Sequence, residues 1–266
     1  MSTIIIKTDA IPLRISPFSN TSHIVTWLTQ DHGKVATVIK GACRPKSLVL
    51  GQYDIGYLCE LLFYAREHNG LHIIKECAAL NDRKACRGNW QSSTAISYLC
   101  HLSELATPHG THSMELYDIL SQTLDIITPI NATTTPPAAK LTIILLSFEI
   151  QLLKILGMPP SLARCTNCRS GIVPEHNNMF SAEKGGIICQ DCAPLIRDRL
   201  PLSGNALATM RRWLTSPQIV QTPLPQPDQQ LQIQNTLGEF LTHHIDLSPH
   251  SRNVAYQMVA IPSSRS

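Results

Sequence analysis

Two cysteine pairs, Cys165-Thr-Asn-Cys168 and Cys189-Gln-Asp-Cys192, stand twenty residues apart. A two-residue spacer lets both sulfurs of a knuckle reach one ion. Two knuckles supply four soft thiolates, the donor set of a tetrahedral zinc site. Gly171 and Gly185-Gly186 supply the turns between them. Four protein ligands leave no open position for water, so the pattern points to one structural zinc rather than a catalytic one. Such a site adds folding energy on the order of 10 kcal/mol to a segment too short for its own core. The other reading is a pair of redox or unmetallated CxxC motifs, but no thioredoxin-like βαβ pattern surrounds them. The chain has nine cysteines. An odd count, and no secretion-signal pattern over Met1 to Lys7, argue against a disulfide framework. Cys43, Cys59, Cys77, Cys86 and Cys100 are scattered and read as reduced apolar core residues. Cys43 lies in a basic loop and is either a small filler or an exposed thiol.

The residues before the knuckles change period once. Ile4–Ile6, Ile11–Ile15, His23–Leu28, Val35–Lys40, Tyr53–Phe63 and Leu71–Leu80 read as strands, separated by turn signals. Asn69-Gly70 between two apolar runs is a hairpin signal. Short strands at this density fit a small barrel or sandwich. From Asn89 the period becomes helical: Ala95, Leu99, Leu102 and Ala106 share one face, as do Leu116, Leu120, Leu124 and Ile127. A third helix starts near Thr135-Pro136-Pro137 and stops at Gly157, and its apolar character on most sides makes it the centre of a bundle. Helical patterns return over Ser203–Leu214 and Ile233–Ile245, across a proline-rich loop. The tail Arg252–Val259 adds one or two turns. Leu141–Gly157 contains Glu149 and Lys154, so no uncharged run reaches the ~18 residues of a membrane span. The expected class is α+β: residues 1–80 an N-terminal β-domain, 81–160 and 197–266 the two parts of a helical domain, and 161–196 an inserted four-cysteine zinc module. With 43% hydrophobic and 15% charged residues, the 266-residue chain can bury such cores.

A net charge of +3 permits a nucleic-acid partner without requiring one. The charge is not spread evenly. Lys34, Lys40, Arg44 and Lys46 fall between Gly33 and Lys46 with no acid among them, ending in Gly41-Ala-Cys-Arg-Pro-Lys-Ser47. Single-strand binders pair such charges with aromatic platforms. Six of the fourteen aromatic residues, Phe18, Trp27, Tyr53, Tyr57, Phe63 and Tyr64, lie in the first eighty. They are either stacking platforms or barrel core, and the four charges are either a phosphate-binding face or a solvated one. Arg83, Lys84 and Arg87 form a second cluster at the domain junction, where they could extend a phosphate track.

Taken in order, these features resemble the RecO recombination-repair proteins. His23 to Ser47 is similar to that family's strand, turn, strand and basic loop. Tyr98-Leu99 with Glu104-Leu105 resembles its first helix, and Leu116-Tyr117, Leu120 and Leu124 its second. Leu156-Gly157 with Pro159 is similar to the end of its central helix. Cys165, Cys168, Phe180, Gly185-Gly186, Cys189 and Cys192 resemble its zinc module, and Ser251-Arg252 its closing pair. Arg169-Ser170 intervene before Gly171, where the family places a glycine directly. The resemblance implies an N-terminal OB-fold β-barrel, a helical domain and an inserted zinc module. It implies a recombination mediator that binds single- and double-stranded DNA, anneals complementary strands and assists recombinase loading. Its partners would be RecR and the C-terminal tail of single-strand binding protein, in a cytoplasmic, nucleoid-associated setting without membrane contact. The family's basic face carries over onto Lys34, Lys40, Arg44 and Lys46.

An enzyme is not expected. The sequence has no GxxxxGK phosphate loop, HExxH or GxSxG, and no HxE with PCxxC. A NAD-dependent deacylase also carries two CxxC pairs but needs a glycine-rich dinucleotide fingerprint, which is missing. The remaining alternative is a zinc-ribbon interaction scaffold without DNA activity.

Overall fold

Two prolines shape the first strand. A computed structural model describes residues 4–65, 70–108, 112–128, 138–173, 178–216, 225–245 and 247–261. In it β1 (Ile4–Ser19) runs through both Pro12 and Pro17. Its pairing with β2 (Ser22–Thr29) shifts register between Pro12 and Arg14 and again between Pro17 and Ser19. Proline has no N–H to give a ladder, so it is held at irregularities, which also bend the strand. The bent strand pairs with β2 over its second half and with β4 (Leu58–Ala65) over its first. With β3 (Gly33–Ile39) and β5 (His72–Asn81), the order β1-β2-β3-β5-β4 closes on itself. One seam is parallel: β3 meets β5 only at Thr37 with His72 and Val38 with Ile73. Trp27, Ile39, Leu61 and Phe63 fill the interior, and Trp27 Nε1 donates to Thr37 Oγ1 at 2.8 Å.

The strand expected over Tyr53–Phe63 begins only at Leu58. Gly56 takes a left-handed φ of 76°, and its N–H donates to the Pro12 carbonyl at 3.0 Å, which makes a turn of the preceding residues. The Asn69-Gly70 signal falls partly outside the described residues. The helical period starts where expected. Asn89 caps α1 (Trp90–Ala106) by accepting from Ser92 N, and Ser113 caps α2 (Met114–Ile127) by accepting from Leu116 N. Arg83, at a left-handed φ of 42°, ties the chain leaving β5 to both neighbours. Its buried guanidinium donates to the Gly56 carbonyl and to Asp125 Oδ1 at 2.8 Å.

The chain divides into Met1–Pro136 and Pro137–Ser266. The boundary puts α1 and α2 with the barrel, so the helical residues 81–160 fall on both sides of it. In the second unit α3 (Ala138–Ile155) is described from Ala138, and the expected proline start lies outside the described residues. It ends ahead of Gly157, at φ 76°. A three-stranded antiparallel sheet follows, ordered β7 (Gly186–Ile188), β6 (Asn178–Ser181), β8 (Arg199–Leu202). Then come α4 (Gly204–Thr215), α5 (Pro227–Ile245) and α6 (Pro249–Ala260). The proline loop at Pro217 and Pro223 is outside the described residues. The tail is a twelve-residue helix, longer than the one or two turns expected. No helix among the described residues is long and apolar enough to cross a membrane.

Helix α3 is buried on every side, including its carboxylate at Glu149. Arg252 on α6 answers it with two parallel bonds, Nε to Oε1 at 2.9 Å and Nη2 to Oε2 at 2.8 Å, and Tyr256 O–H donates to Oε1 at 2.9 Å. Gly238 on α5 makes room, since a Cβ there would stand 2.7 Å from Arg252 Nη1. Removing one member of a buried, bonded ion pair strands the other charge. Arg252→Ala is therefore expected to lower stability by about 3–5 kcal/mol in urea unfolding. The apolar pair Glu149→Leu with Arg252→Met is expected to recover most of that loss.

Candidate metal centre and nucleic-acid interface

The four cysteines predicted from spacing come together. The sulfurs of Cys165, Cys168, Cys189 and Cys192 all lie within 4.8 Å of one another, and the group could hold a metal ion. The first knuckle is closed by Arg169 N–H donating to the Cys165 carbonyl at 2.8 Å, with Arg169 at a left-handed φ of 63°. Arg169 thus takes the conformation that a glycine in this place adopts freely, at a cost of about 1–2 kcal/mol. The second knuckle turns through Ala193 N–H to the Cys189 carbonyl at 3.0 Å. Donors are aimed at sulfur: Cys189 N–H at Cys165 Sγ (3.4 Å) and Asn167 Nδ2 at Cys192 Sγ (3.3 Å).

These bonds favour thiolates. Ser170 beside Cys168 lowers that thiol to about 6. At Cys165 burial opposes ionisation, but N–H groups of Cys168, Cys189 and Asn167 outweigh it and the pKa falls. Cys192 goes the other way, to about 12: Asn167 lowers it, but desolvation and the sulfurs of Cys189, Cys168 and Cys165 overcome that. Four crowded sulfurs cannot all ionise without a cation among them. Cys165 and Cys192 are buried and Cys168 is exposed.

The basic run is split by the fold. Lys40, Arg44 and Lys46 are exposed and line one groove of about 450 Å³ at the end of β3. Lys34 is not with them. It is buried on β3, and its Nζ donates to the Glu104 carbonyl of α1 at 2.7 Å. Desolvation lowers its pKa. The fold thus sets Lys34 apart from the other three: it is not among the groove residues, and its ammonium gives one of its donors to a helix carbonyl. Lys75 of β5 joins the groove instead, brought beside the loop by the parallel β3–β5 seam. It lies outside the basic run, so only the strand pairing reveals it. Among the described residues no acidic side chain lines the groove; Glu76 lies beside it, 3.6 Å from Lys75 in an exposed pair.

Most of the rings are core. Trp27, Tyr57 and Phe63 are buried, Tyr53 and Tyr64 are half-buried, and Phe18 is 57% exposed. Arg87 stacks over the Tyr57 ring at 4.9 Å, and Arg83 is the buried anchor described above, so that cluster is largely committed within the fold. Cys43 is exposed, with its sulfur 3.2 Å from His23 Nε2, and His23 Nδ1 lies 2.7 Å from the Tyr53 hydroxyl. The other four scattered cysteines are buried.

Comparison with known proteins covers almost the whole chain. Residues 1–83 match the family model "Recombination protein O N terminal", and residues 87–253 match "Recombination protein O C terminal". The chain belongs to the RecO family. Among curated RecO sequences it is similar to "DNA repair protein RecO" of Prosthecochloris aestuarii, 24% identical over 94% of this chain and 95% of that one. The protein of the same name from Roseiflexus sp. is 27% identical over 92% of this chain and 83% of its own. That of Rhodopirellula baltica is 27% identical over 79% and 75%.

Lys34 is expected to behave as a structural residue of the RecO barrel. Lys34→Ala strands the Glu104 carbonyl and removes a packed aliphatic stem, which costs about 1–3 kcal/mol in chemical denaturation. In the folded chain Lys34 holds its proton less tightly than in the unfolded chain. Its penalty on stability is full below the folded pKa and fades as pH rises through it toward the unfolded value. Lys34→Met is expected to flatten that alkaline slope.

Proposed function

We propose that this RecO-family chain is a DNA-repair protein of the recombination-mediator type and works without covalent catalysis. The observation that carries this reading is the groove holding Lys40, Arg44, Lys46 and Lys75, with no acidic lining among the described residues, on a small closed barrel. The barrel is read as an OB-fold, a scaffold that presents such faces to nucleic acid. Four cations in one groove neutralise phosphates of single- and double-stranded DNA. Phosphates of two strands screened on one face repel each other less, which lets complementary bases meet, so annealing needs no nucleotide hydrolysis. Stacking on rings contributes little in this scheme, because Phe18 alone among the barrel rings is largely exposed. The helices and the cysteine segment are read as partner surfaces, for RecR and for the C-terminal tail of single-strand binding protein during recombinase loading. The setting is cytoplasmic and nucleoid-associated.

The cysteine cluster is read as a structural zinc site. Zinc–sulfur bonds of about 2.3 Å put tetrahedral sulfurs about 3.8 Å apart. Cys168 and Cys189 stand at 3.6 Å. The Cys189 backbone N–H and the Asn167 amide, already aimed at sulfur, would hold the thiolates in place around the ion. Zinc would be held by Cys165, Cys168, Cys189 and Cys192, neutralising their crowded charge and fixing the β6–β8 segment.

Two measurements test this. Fluorescence-followed annealing of complementary oligonucleotides, without nucleotide, is expected to be fast at low salt and to collapse in Lys40→Ala/Arg44→Ala/Lys46→Ala with the fold retained. Four phosphate contacts predict a slope of log affinity on log salt near −2.8, from about −0.7 each on single strands. Wild-type protein that neither binds nor anneals at low salt would leave only the scaffold reading. Purified protein is expected to carry one zinc per chain, and a strong chelator is expected to expose residues 164–195 to protease. Unchanged resistance after complete zinc removal would refute the structural role.

A further inference from the structure

We propose that Leu48 is an apolar wedge that seats against an unstacked base of single-stranded nucleic acid while the surrounding cations hold its phosphates. This rests on the DNA-binding reading above and adds to it a means of telling single strands from duplex.

Leu48 is 94% exposed, and Leu50 close by is 56% exposed. A singly exposed leucine needs no explanation. The position of this one is fixed by the structure around it. The loop is anchored on both sides, by Ala42 buried in the barrel core and by Val49 packed against that core. Successive turns stiffen it, with Arg44 N–H donating to the Gly41 carbonyl at 3.1 Å, Ser47 N–H to Arg44 at 2.9 Å and Leu50 N–H to Ser47 at 3.2 Å. A pinned backbone with Val49 turned inward projects Leu48 outward. It stands on the rim of the groove, with Lys40, Arg44, Lys46 and Lys75 around it and Ile73 and Ile74 in the wall.

An apolar tip ringed by cations fits a polyanion that also has flat apolar faces. Single-stranded nucleic acid has both, with the bases free to turn out. Duplex offers the phosphates but keeps its bases stacked, and reaching them costs unstacking energy. Among the described residues no aromatic side chain lines this groove, so an aliphatic side chain takes the contact with the base.

The full-length protein is titrated onto a single-stranded oligonucleotide carrying one 2-aminopurine, and onto the matching duplex, at several salt concentrations. The proteins are wild type, Leu48→Ala and Lys40→Ala/Arg44→Ala/Lys46→Ala. A fully exposed leucine can be truncated without loss of core packing. Leu48→Ala is expected to weaken single-strand binding at least about fivefold. It should also remove the 2-aminopurine emission change, with the salt slope and duplex affinity unchanged. The lysine–arginine variant should lose affinity for both and flatten the slope. Equal binding and equal emission change in wild type and Leu48→Ala, with the charge variant impaired, overturns the wedge and leaves the DNA reading standing. No binding by any protein at low salt overturns both. An oligonucleotide indifferent to Leu48, together with an acidic leucine-bearing peptide that requires it, would assign the surface to a protein partner and also overturn the proposal.

Discussion

The Glu149 carboxylate, fully buried on an otherwise apolar helix, decides how residues 137–266 assemble. An isolated charge in that position would be intolerable, so the fold must bring a cation and a donor to it. Arg252 and Tyr256, one turn apart on α6, meet that demand, and the guanidinium lies 4.5 Å from the Tyr256 ring centroid. Burial beside the Glu149 carboxylate also pushes the Tyr256 hydroxyl well above its ordinary pKa, so it remains a donor throughout the physiological range. The pairing is specific in direction and register. Sliding α6 by one residue would break all three bonds, whereas a purely leucine-lined contact would tolerate the shift.

The first unit uses the same device at its own junction. Arg83 donates to a carbonyl of the barrel and to a carboxylate of α2, from a backbone conformation that non-glycine residues seldom adopt. The strain persists because the guanidinium is bonded on both sides. Lys34 caps the opposite arrangement, a strand cation given to a helix carbonyl. Lys40, Arg44 and Lys46, by contrast, are exposed and share one groove with Lys75.

What the sequence reveals follows the distance over which each feature is determined. The clustering of Cys165, Cys168, Cys189 and Cys192 follows from two short spacings and could be read directly. The caps at Asn89, Ser113 and Ser203 are local too, and the helices begin where those residues stand. The burial of Lys34 is not legible in the same way, because a charge beside a basic loop looks solvated and its bond is to a carbonyl seventy residues distant. Tyr53–Tyr57 has strand composition, but the left-handed Gly56 makes it a turn. Lys75 and the inward set of Val49 depend on which strands pair, and β3 with β5 is a non-consecutive, parallel choice that no local pattern encodes. Glu149 and Arg252 were both visible as residues, but nothing in the sequence linked them.

The parallel seam has a further consequence. It is the shortest ladder in the barrel, and the groove opens at its end, between the loop after β3 and the first residues of β5. A polyanion lying across Lys40 and Lys75 would staple together the two strands whose own hydrogen bonds join them least. Binding there and closure of the barrel would then be thermodynamically linked: occupancy would disfavour the open seam, and a seam already held shut would offer a better-ordered groove. The weakest part of the barrel is in this way the part through which it would sense its ligand.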